Sequence, residues 1–363
     1  MNVHGDLTGK LNNEDFIKMV SKYDIVCLTE CWINHKSKLK LRGYHCFRNC
    51  RTRAKYAKRD SGGVCIFVKL KYISFVEKLE WDDFEDGLAI KFSGQYFKLN
   101  NDICLIVPYF TPENSSRNCI TPESIGFEKL KDLLSKYKPF NYDFLLLSDL
   151  NSRVGTIQEI ILDHNLISDS RDEIINCDTI IVQDDLINND MSIIRSNMDL
   201  NVNSFGKQLV ELCQCADLVI LNGRSPGDRD GKFTYIDIKG NSTIDLAIVS
   251  KNVLYLVENF KVHDPNAFSD HVLISLSLKC NAVNPIGKIC TVCNSKKSRL
   301  KWKDDEKENF INLMNDAEST NNLNYISKLL DNEINETNLS SCLTKFSDTF
   351  SHAAQVHMNK KKY

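Results

Sequence analysis

Short apolar runs of strand length recur along the chain, and several of them stop on a polar residue. Ile25–Thr29, Val64–Val68, Leu88–Phe92, Ile103–Val107, Phe144–Leu147, Leu218–Leu221, Ile244–Val249 and Val272–Leu278 predict strands. Runs this apolar are usually covered on both faces. Helical spacing appears elsewhere. Asn12–Val20 is capped by an Asn and apolar on one side. After Thr121-Pro122, Phe127, Leu130, Leu133 and Leu134 share one face. Ser204 is the expected cap of a helix carrying Leu209, Val210, Leu212 and Cys213. Strand–helix–strand order with short links predicts an α/β fold.

The chemistry sits where the apolar runs end. Asp149 and Asn151 close the Tyr142–Leu147 run with one residue between them. If the strand continues, alternation puts both side chains on one face. Carboxylate and amide oxygens suit a hard cation such as Mg²⁺, and a carboxylate can orient or deprotonate a water. A strand followed by an Asx-type turn is the plainer alternative. Glu30 ends the first clear strand, so a second acid is available to the same cation. Asp245 lies inside an apolar run, and a buried carboxylate needs a cation or a donor such as His beside it. Ser269-Asp270-His271 offers one. Three consecutive side chains diverge and cannot form a triad among themselves, so Asp270 and His271 have separate jobs. Pro108 and Pro112 make the exit of the Ile103–Val107 strand rigid and hold Tyr109 at its end.

Composition adds a local asymmetry and a compartment. The net charge of -2 says nothing about partners. Lys36 to Arg59, however, carries ten Lys and Arg and no Asp or Glu, with Tyr44, Phe47 and Tyr56 interleaved. Cations neutralise phosphates and rings can stack on bases; a solvated loop is the alternative. Arg51, Arg53 and Lys55 are the candidate contacts. Residues 156–200 are acidic and poorly periodic, as in a long surface insertion. The 14 cysteines are scattered through apolar runs behind no signal-peptide pattern. A reducing compartment, nucleus or cytoplasm, is expected, without a disulfide framework and without a membrane partner.

Taken in order, these signals resemble the endonuclease/exonuclease/phosphatase superfamily, DNase I-like, and more narrowly the endonuclease region of a non-LTR retrotransposon polyprotein. They are Asn2-Val3-His4-Gly5, Thr29-Glu30, Ser61-Gly62-Gly63, Tyr109 with Pro112, and Ser148-Asp149-Leu150-Asn151. Further along come Asn203 to Gly206, Asn222-Gly223 with Gly227-Asp228, Ser242 with Ile244-Asp245, and Ser269-Asp270-His271. The resemblance implies a four-layer α/β sandwich of two mixed β-sheets flanked by helices. It implies Mg²⁺, with Mn²⁺ as an alternative, held by Glu30 with Asn2 and Asp270 nearby. Asp149 would orient or deprotonate the attacking water, Asn151 would bond the phosphate region, and Tyr109 would hold the phosphate or leaving oxygen. His271 would contact the scissile phosphate with Asp245 fixing its ring. The implied reaction is DNA phosphodiester hydrolysis leaving a 3′-hydroxyl, which in a retroelement primes reverse transcription. Retroelement RNA or a reverse transcriptase would then be partners outside this chain.

Some features depart from that family. His4 stands where relatives carry Asn or Asp, and Ser148 and Leu150 replace the usual Gly and Phe. The family's first strand would precede Asn2, so the chain start is expected to fray. Residues 1–279 would be the catalytic domain, 280–300 a linker and 301–363 a C-terminal helical extension resembling the connector before a reverse transcriptase. Cys290 and Cys293 in the linker form a single C-x-x-C, weak evidence for zinc. Two other readings compete with the endonuclease: a phosphatase of small molecules such as phosphoinositides, and a catalytically impaired nucleic-acid-binding remnant.

Overall fold

The computed structural model describes residues 1–53, 57–113, 115, 125–140, 142–160, 177–279, 308, 311–312, 315–330 and 345. Lys55, the Cys290/Cys293 pair and the 280–300 linker lie outside them. The chain divides into two compact units, Met1–Ile286 and Gly287–Tyr363. In the second, a helix spans Ala317–Leu330 behind an Asp316 side chain that accepts from Ser319 N–H at 2.7 Å. No helix among the described residues is long and apolar enough to cross a membrane.

The first unit is a layered α/β sandwich. Its strands are β1 (Ile25–Leu28), β2 (Tyr44–Asn49), β3 (Val64–Lys69), β4 (Val76–Leu79), β5 (Gly87–Phe92), β6 (Ile103–Pro108), β7 (Asp143–Asp149), β8 (Leu218–Ile220), β9 (Tyr235–Asp237), β10 (Gly240–Ser242), β11 (Asp245–Ser250), β12 (Val257–Val262) and β13 (Ile274–Leu278). Helices α1 (Leu7–Lys10), α2 (Glu14–Val20), α3 (Gly94–Phe97), α4 (Ile125–Tyr137), α5 (Cys177–Asn188) and α6 (Ser204–Cys215) are interspersed. A mixed six-stranded sheet runs β4-β5-β6-β7-β11-β8, with β6 and β7 parallel across the α4 crossover. A three-stranded sheet, β1-β3-β2, and the β12-β13 hairpin face it.

Period-two alternation sorts the strand residues into layers. Leu88, Ile90, Leu105, Val107, Val249 and Ala247 turn inward to meet Val64, Ile66 and Val68 of β3 and Phe260 and Val262 of β12. The intervening Ala89, Cys104, Ile106, Leu246 and Ile248 turn outward under α4 and α6. On the far side, Cys65, Phe67, Val26 and Leu28 pack against Phe16 and Val20 of α2. Helix, sheet, sheet and helix are therefore stacked in four layers, with the central strands β3, β5, β6, β7 and β11 covered on both faces.

Four expectations need correction. The cap of α6 is Asn203, whose side chain accepts from Gly206 N–H at 2.8 Å; Ser204 is already helical. The basic stretch hides a strand, β2, because its half-buried Tyr44, Cys46 and Phe47 pair along β3. The chain start does not fray: the Met1 ammonium donates to Cys27 O at 2.9 Å, and Val3 N–H donates to Thr29 O at 3.0 Å. The 156–200 insertion is not simply a surface loop. Residues 161–176 lie outside the described set, but Glu159, Arg195, Asn197 and Asp199 are buried. Alternation then sends Ile194, Met198 and Leu200 to the surface, an inverted pattern that defeats a hydrophobicity reading.

Candidate active site

The site forms at the ends of β7 and β11, which pair with Asp149 opposite Asp245. Both carboxylates are buried, as is His271 from the loop before β13. His271 Nδ1 lies 2.7 Å from Asp245 Oδ2, and its Nε2 lies 3.8 Å from Asp149 Oδ2. The first distance is a hydrogen bond; the second leaves the Nε2 side without a short contact to Asp149. Asp245 is positioned by its backbone. Thr234 Oγ1 accepts from Asp245 N–H at 2.9 Å, and Asn222 Nδ2 donates to Asp245 O at 3.1 Å. Asp245 Oδ1 is buried without a partner among the described residues.

Asn2 joins this cluster to a second carboxylate. Its Nδ2 donates to Asp149 Oδ2 at 2.9 Å and to Glu30 Oε2 at 3.3 Å. Tyr109 Oη donates to Glu30 Oε1 at 2.5 Å. Ser269 Oγ donates to Asn2 O at 2.9 Å and accepts from His271 N–H at 3.1 Å, so one hydroxyl ties the chain start to the histidine loop. Asp270 turns away from the cluster to His4 Nδ1, 3.0 Å distant. His4, Glu30 and Asn151 all have positive φ (46°, 50° and 47°). Such conformations cost about 1–3 kcal/mol in a non-glycine residue and gather where surrounding structure enforces them.

Electrostatics separates the roles. Burial pushes the Asp149 carboxyl up to about 7, with the neighbouring Asp245 charge adding to it and His271 opposing. Burial disfavours the His271 imidazolium, but the Asp245 and Asp149 charges more than offset that and raise it to about 9. Burial and the Glu30 charge keep Tyr109 a phenol, well above its usual range. Burial also opposes the Asp270 carboxylate, yet His4 holds it below the usual range.

Ligand atoms of Asp149, Asp245 and His271 lie within 4.8 Å of one another. Within that group His271 Nδ1 is already engaged by Asp245 at 2.7 Å. Glu30 and Asp270 carry carboxylate oxygens, the ligand type a hard divalent cation takes, whereas Asn2 turns Nδ2 to Glu30 and Asp149 and its Oδ1 accepts from His4 N–H at 2.8 Å. Glu30 is the carboxylate on that side that fits such an ion.

Two expected groups are placed differently. Asn151 does not continue β7. Its left-handed backbone makes an Asx turn in which Asp149 Oδ1 accepts from Asn151 N–H at 3.0 Å, and Asn151 Nδ2 donates to Phe110 O at 2.7 Å. The side-by-side geometry expected of a strand is absent, since the turn rotates the amide out of register. Arg51 is not a free phosphate contact. It is buried and forms a bidentate pair with Asp86 at 2.7 and 2.5 Å, its guanidinium 5.7 Å from the Tyr109 ring centre. Gly62 allows this: a Cβ there, at φ +62°, would stand 2.4 Å from Arg51 Cζ. Arg53 is exposed and donates to Ala57 O. Thr234, just before β9, holds the Asp245 backbone, and a Thr at a strand start carries no distinctive spacing in the sequence.

The chain matches the endonuclease/exonuclease/phosphatase family over residues 1–271. It belongs to that family. Among curated proteins nothing matches. Among solved structures it is similar to an AP endonuclease, LMAP, from Leishmania major, with TM-score 0.53 and 14% identity over 76% of this chain and 85% of that one. It also aligns with the endonuclease domain of TRAS1, a telomere-specific non-LTR retrotransposon, at 14% identity and TM-score 0.45 over 77% and 96%. A third match is a 3′ phosphatase, NExo, from Neisseria, bound to a product DNA hairpin, at 14% identity and TM-score 0.48 over 75% and 95%. The likeness to the Leishmania enzyme bears on the fold: a mixed α/β architecture of sheets flanked by helices. The family is hydrolytic and includes nucleases and phosphatases.

Proposed function

We propose that this chain is a divalent-metal-dependent DNA endonuclease of retroelement origin, hydrolysing one phosphodiester bond to leave a 3′-hydroxyl. The observation that carries the reading is the hydrogen-bonded row Glu30–Asn2–Asp149 with the His271–Asp245 pair beside it, His271 Nε2 standing 3.8 Å from Asp149. Asp149, ionised and fixed by the Asn2 amide and the Asn151 N–H, takes a proton from the attacking water. The water oxygen bonds to phosphorus, the bond to the 3′-oxygen breaks, and that oxygen leaves as a hydroxyl after taking a proton from solvent. His271, held protonated by Asp245, presents Nε2–H to a non-bridging oxygen as charge develops there. Tyr109 keeps Glu30 in place, and Arg51 with Asp86 keeps Tyr109 in place. A divalent cation, Mg²⁺ in the first instance, held by Glu30 with Asn2 and Asp270 nearby, would stabilise negative charge on the phosphate and the leaving oxygen.

Nicking of supercoiled plasmid with Mg²⁺, and its loss in EDTA, is the test. Nicked product should be extendable by a DNA polymerase, as a free 3′-hydroxyl requires. Intact plasmid after prolonged incubation with folded protein and Mg²⁺ or Mn²⁺ would sink the reading.

A further inference from the structure

Next to the carboxylates a second feature is built, and the endonuclease chemistry does not use it. Trp32 follows Glu30 by two residues and has a left-handed backbone, φ 47°. The Arg59 guanidinium lies 4.0 Å from the centre of its ring. Gly5 makes room for the indole: a Cβ at Gly5 would stand 2.0 Å from Trp32 Cε3. Gly5 N–H also donates to Glu30 O at 2.7 Å, so the indole's support and the carboxylate's backbone are one unit. His4 meets the ring edge at 5.6 Å and 79°, and the same imidazole touches Asp270. A row of contacts thus runs from Asp270 through His4 and Trp32 to Arg59.

Arg59 is exposed at the end of that row. Among the described residues it has no ion-pair partner. The adjacent acid, Asp60, accepts instead from Asn34 Nδ2 at 2.7 Å. A guanidinium lying over an indole loses little freedom when it meets an oxyanion, because its plane is already set. Its N–H edge remains free to donate to a phosphate. Arg51, by contrast, lies in the same basic stretch and is consumed by Asp86.

We infer that Arg59, held on Trp32, is a phosphate-binding subsite for a DNA strand passing the Glu30–Asp270 side of the site. The inference rests on DNA being the substrate. The occupant is a backbone phosphate flanking the scissile one. Trp32 is a positioning residue, acting through Arg59.

The test is affinity for a fluorescent duplex oligonucleotide in EDTA, across a NaCl series, so that cleavage does not enter. Arg59→Gln is expected to weaken binding about tenfold and to reduce the log–log salt slope by about one. Arg59→Lys is expected to restore the slope but only part of the affinity, since an ammonium lacks the planar fork. Trp32→Leu is expected to weaken binding in the parent and to add almost nothing in the Arg59→Gln background. Thermal melts accompany each variant, and Arg59→Gln at an exposed position carries the test even if Trp32→Leu unfolds. Unchanged affinity and slope in Arg59→Gln would overturn the subsite. So would undiminished additivity of the two substitutions in folded protein. A parent chain that binds no DNA would overturn both this inference and the endonuclease reading; one that binds and nicks while ignoring Arg59 overturns this one alone.

Discussion

Two buried charge clusters lie in the same sandwich, and they are wired oppositely. Around Glu159, every strong group has a partner. Glu159 Oε1 accepts from Arg224 Nη2 at 2.5 Å and from Ile220 N–H at 3.0 Å, and Oε2 accepts from Arg195 Nε at 3.4 Å. The remaining guanidinium edges donate to carbonyls of Gly155, Ile157, Ile220, Ser192 and Ile193. Around Asp149 the arrangement stays incomplete. Asp245 Oδ1 has no partner among the described residues, Asp149 and His271 stand 3.8 Å apart, and two carboxylates face one imidazole. The first cluster pins the 156–160, 192–195 and 220–224 segments to one another. The second leaves a buried carboxylate oxygen short of a partner among the described residues, where the proposed substrate phosphate would sit. Burial of charge by itself therefore does not mark an active site; incomplete pairing at the end of strands does.

The contrast is broken most directly by deleting one acid from each cluster. Asp149→Ala should lower nicking by about two orders of magnitude or more, since the group acts on the proton in flight. Its melting temperature should change little near neutral pH, because relief of the burial cost of the carboxylate offsets the loss of its hydrogen bonds to Asn2 and Asn151. Glu159→Ala should do the reverse. Two buried guanidiniums lose their counter-charge, at a cost of about 3–5 kcal/mol, while nicking per folded molecule persists at low temperature. Equal losses of activity at equal stability in the two variants would erase the distinction.

Asn2→Ala sharpens the picture within the reactive cluster. It removes the donor shared by Asp149 and Glu30, and a hydrogen bond to a charged group is worth about 1.5–3 kcal/mol, so nicking should fall roughly tenfold to a hundredfold. A chain start that merely frays would give no change.

The pH profile tests the same wiring more gently. The proposed mechanism uses ionised Asp149 and protonated His271, so nicking should rise as pH passes about 7 and fall as it passes about 9. Both groups hold their protons more tightly folded than unfolded. The stability they contribute is complete at acid pH, is lost for Asp149 between 3.8 and about 7, and is lost for His271 between 6.5 and about 9. Melts in EDTA should therefore fall across that range. A bound cation favours the carboxylate and should move the acid limb of nicking to lower pH. A profile with no acid limb at all, with or without metal, would remove Asp149 as the base.

The smallest effect separates two arginines of one basic stretch. Arg51→Ala should lower the melting temperature by removing the buried bidentate pair with Asp86, with the salt slope of DNA binding unchanged. Arg53→Ala should leave the melting temperature alone and reduce that slope by about one. Interchanged outcomes would mean that exposure does not decide which cation meets DNA.

The amino-acid sequence alone determined eight of the thirteen strands among the described residues, the three main helices of the sandwich and the strand-terminal acids. Alternation and helical spacing are local signals, written by the need to cover both faces of a sheet, and Asp149, Glu30, Asp245 and His271 all stand at or near such boundaries. Tertiary structure decided the rest. Only the folded chain shows that Asn2 reaches across 147 positions to Asp149. Only the fold distinguishes Arg51, closed on Asp86, from Arg59, open on Trp32, because composition counts charges without pairing them. The 192–200 segment is the plainest case. Its polar residues turn inward because Glu159, Thr243 and the Gly155 and Ile157 carbonyls wait there, and partners that distant in sequence leave no trace in local periodicity.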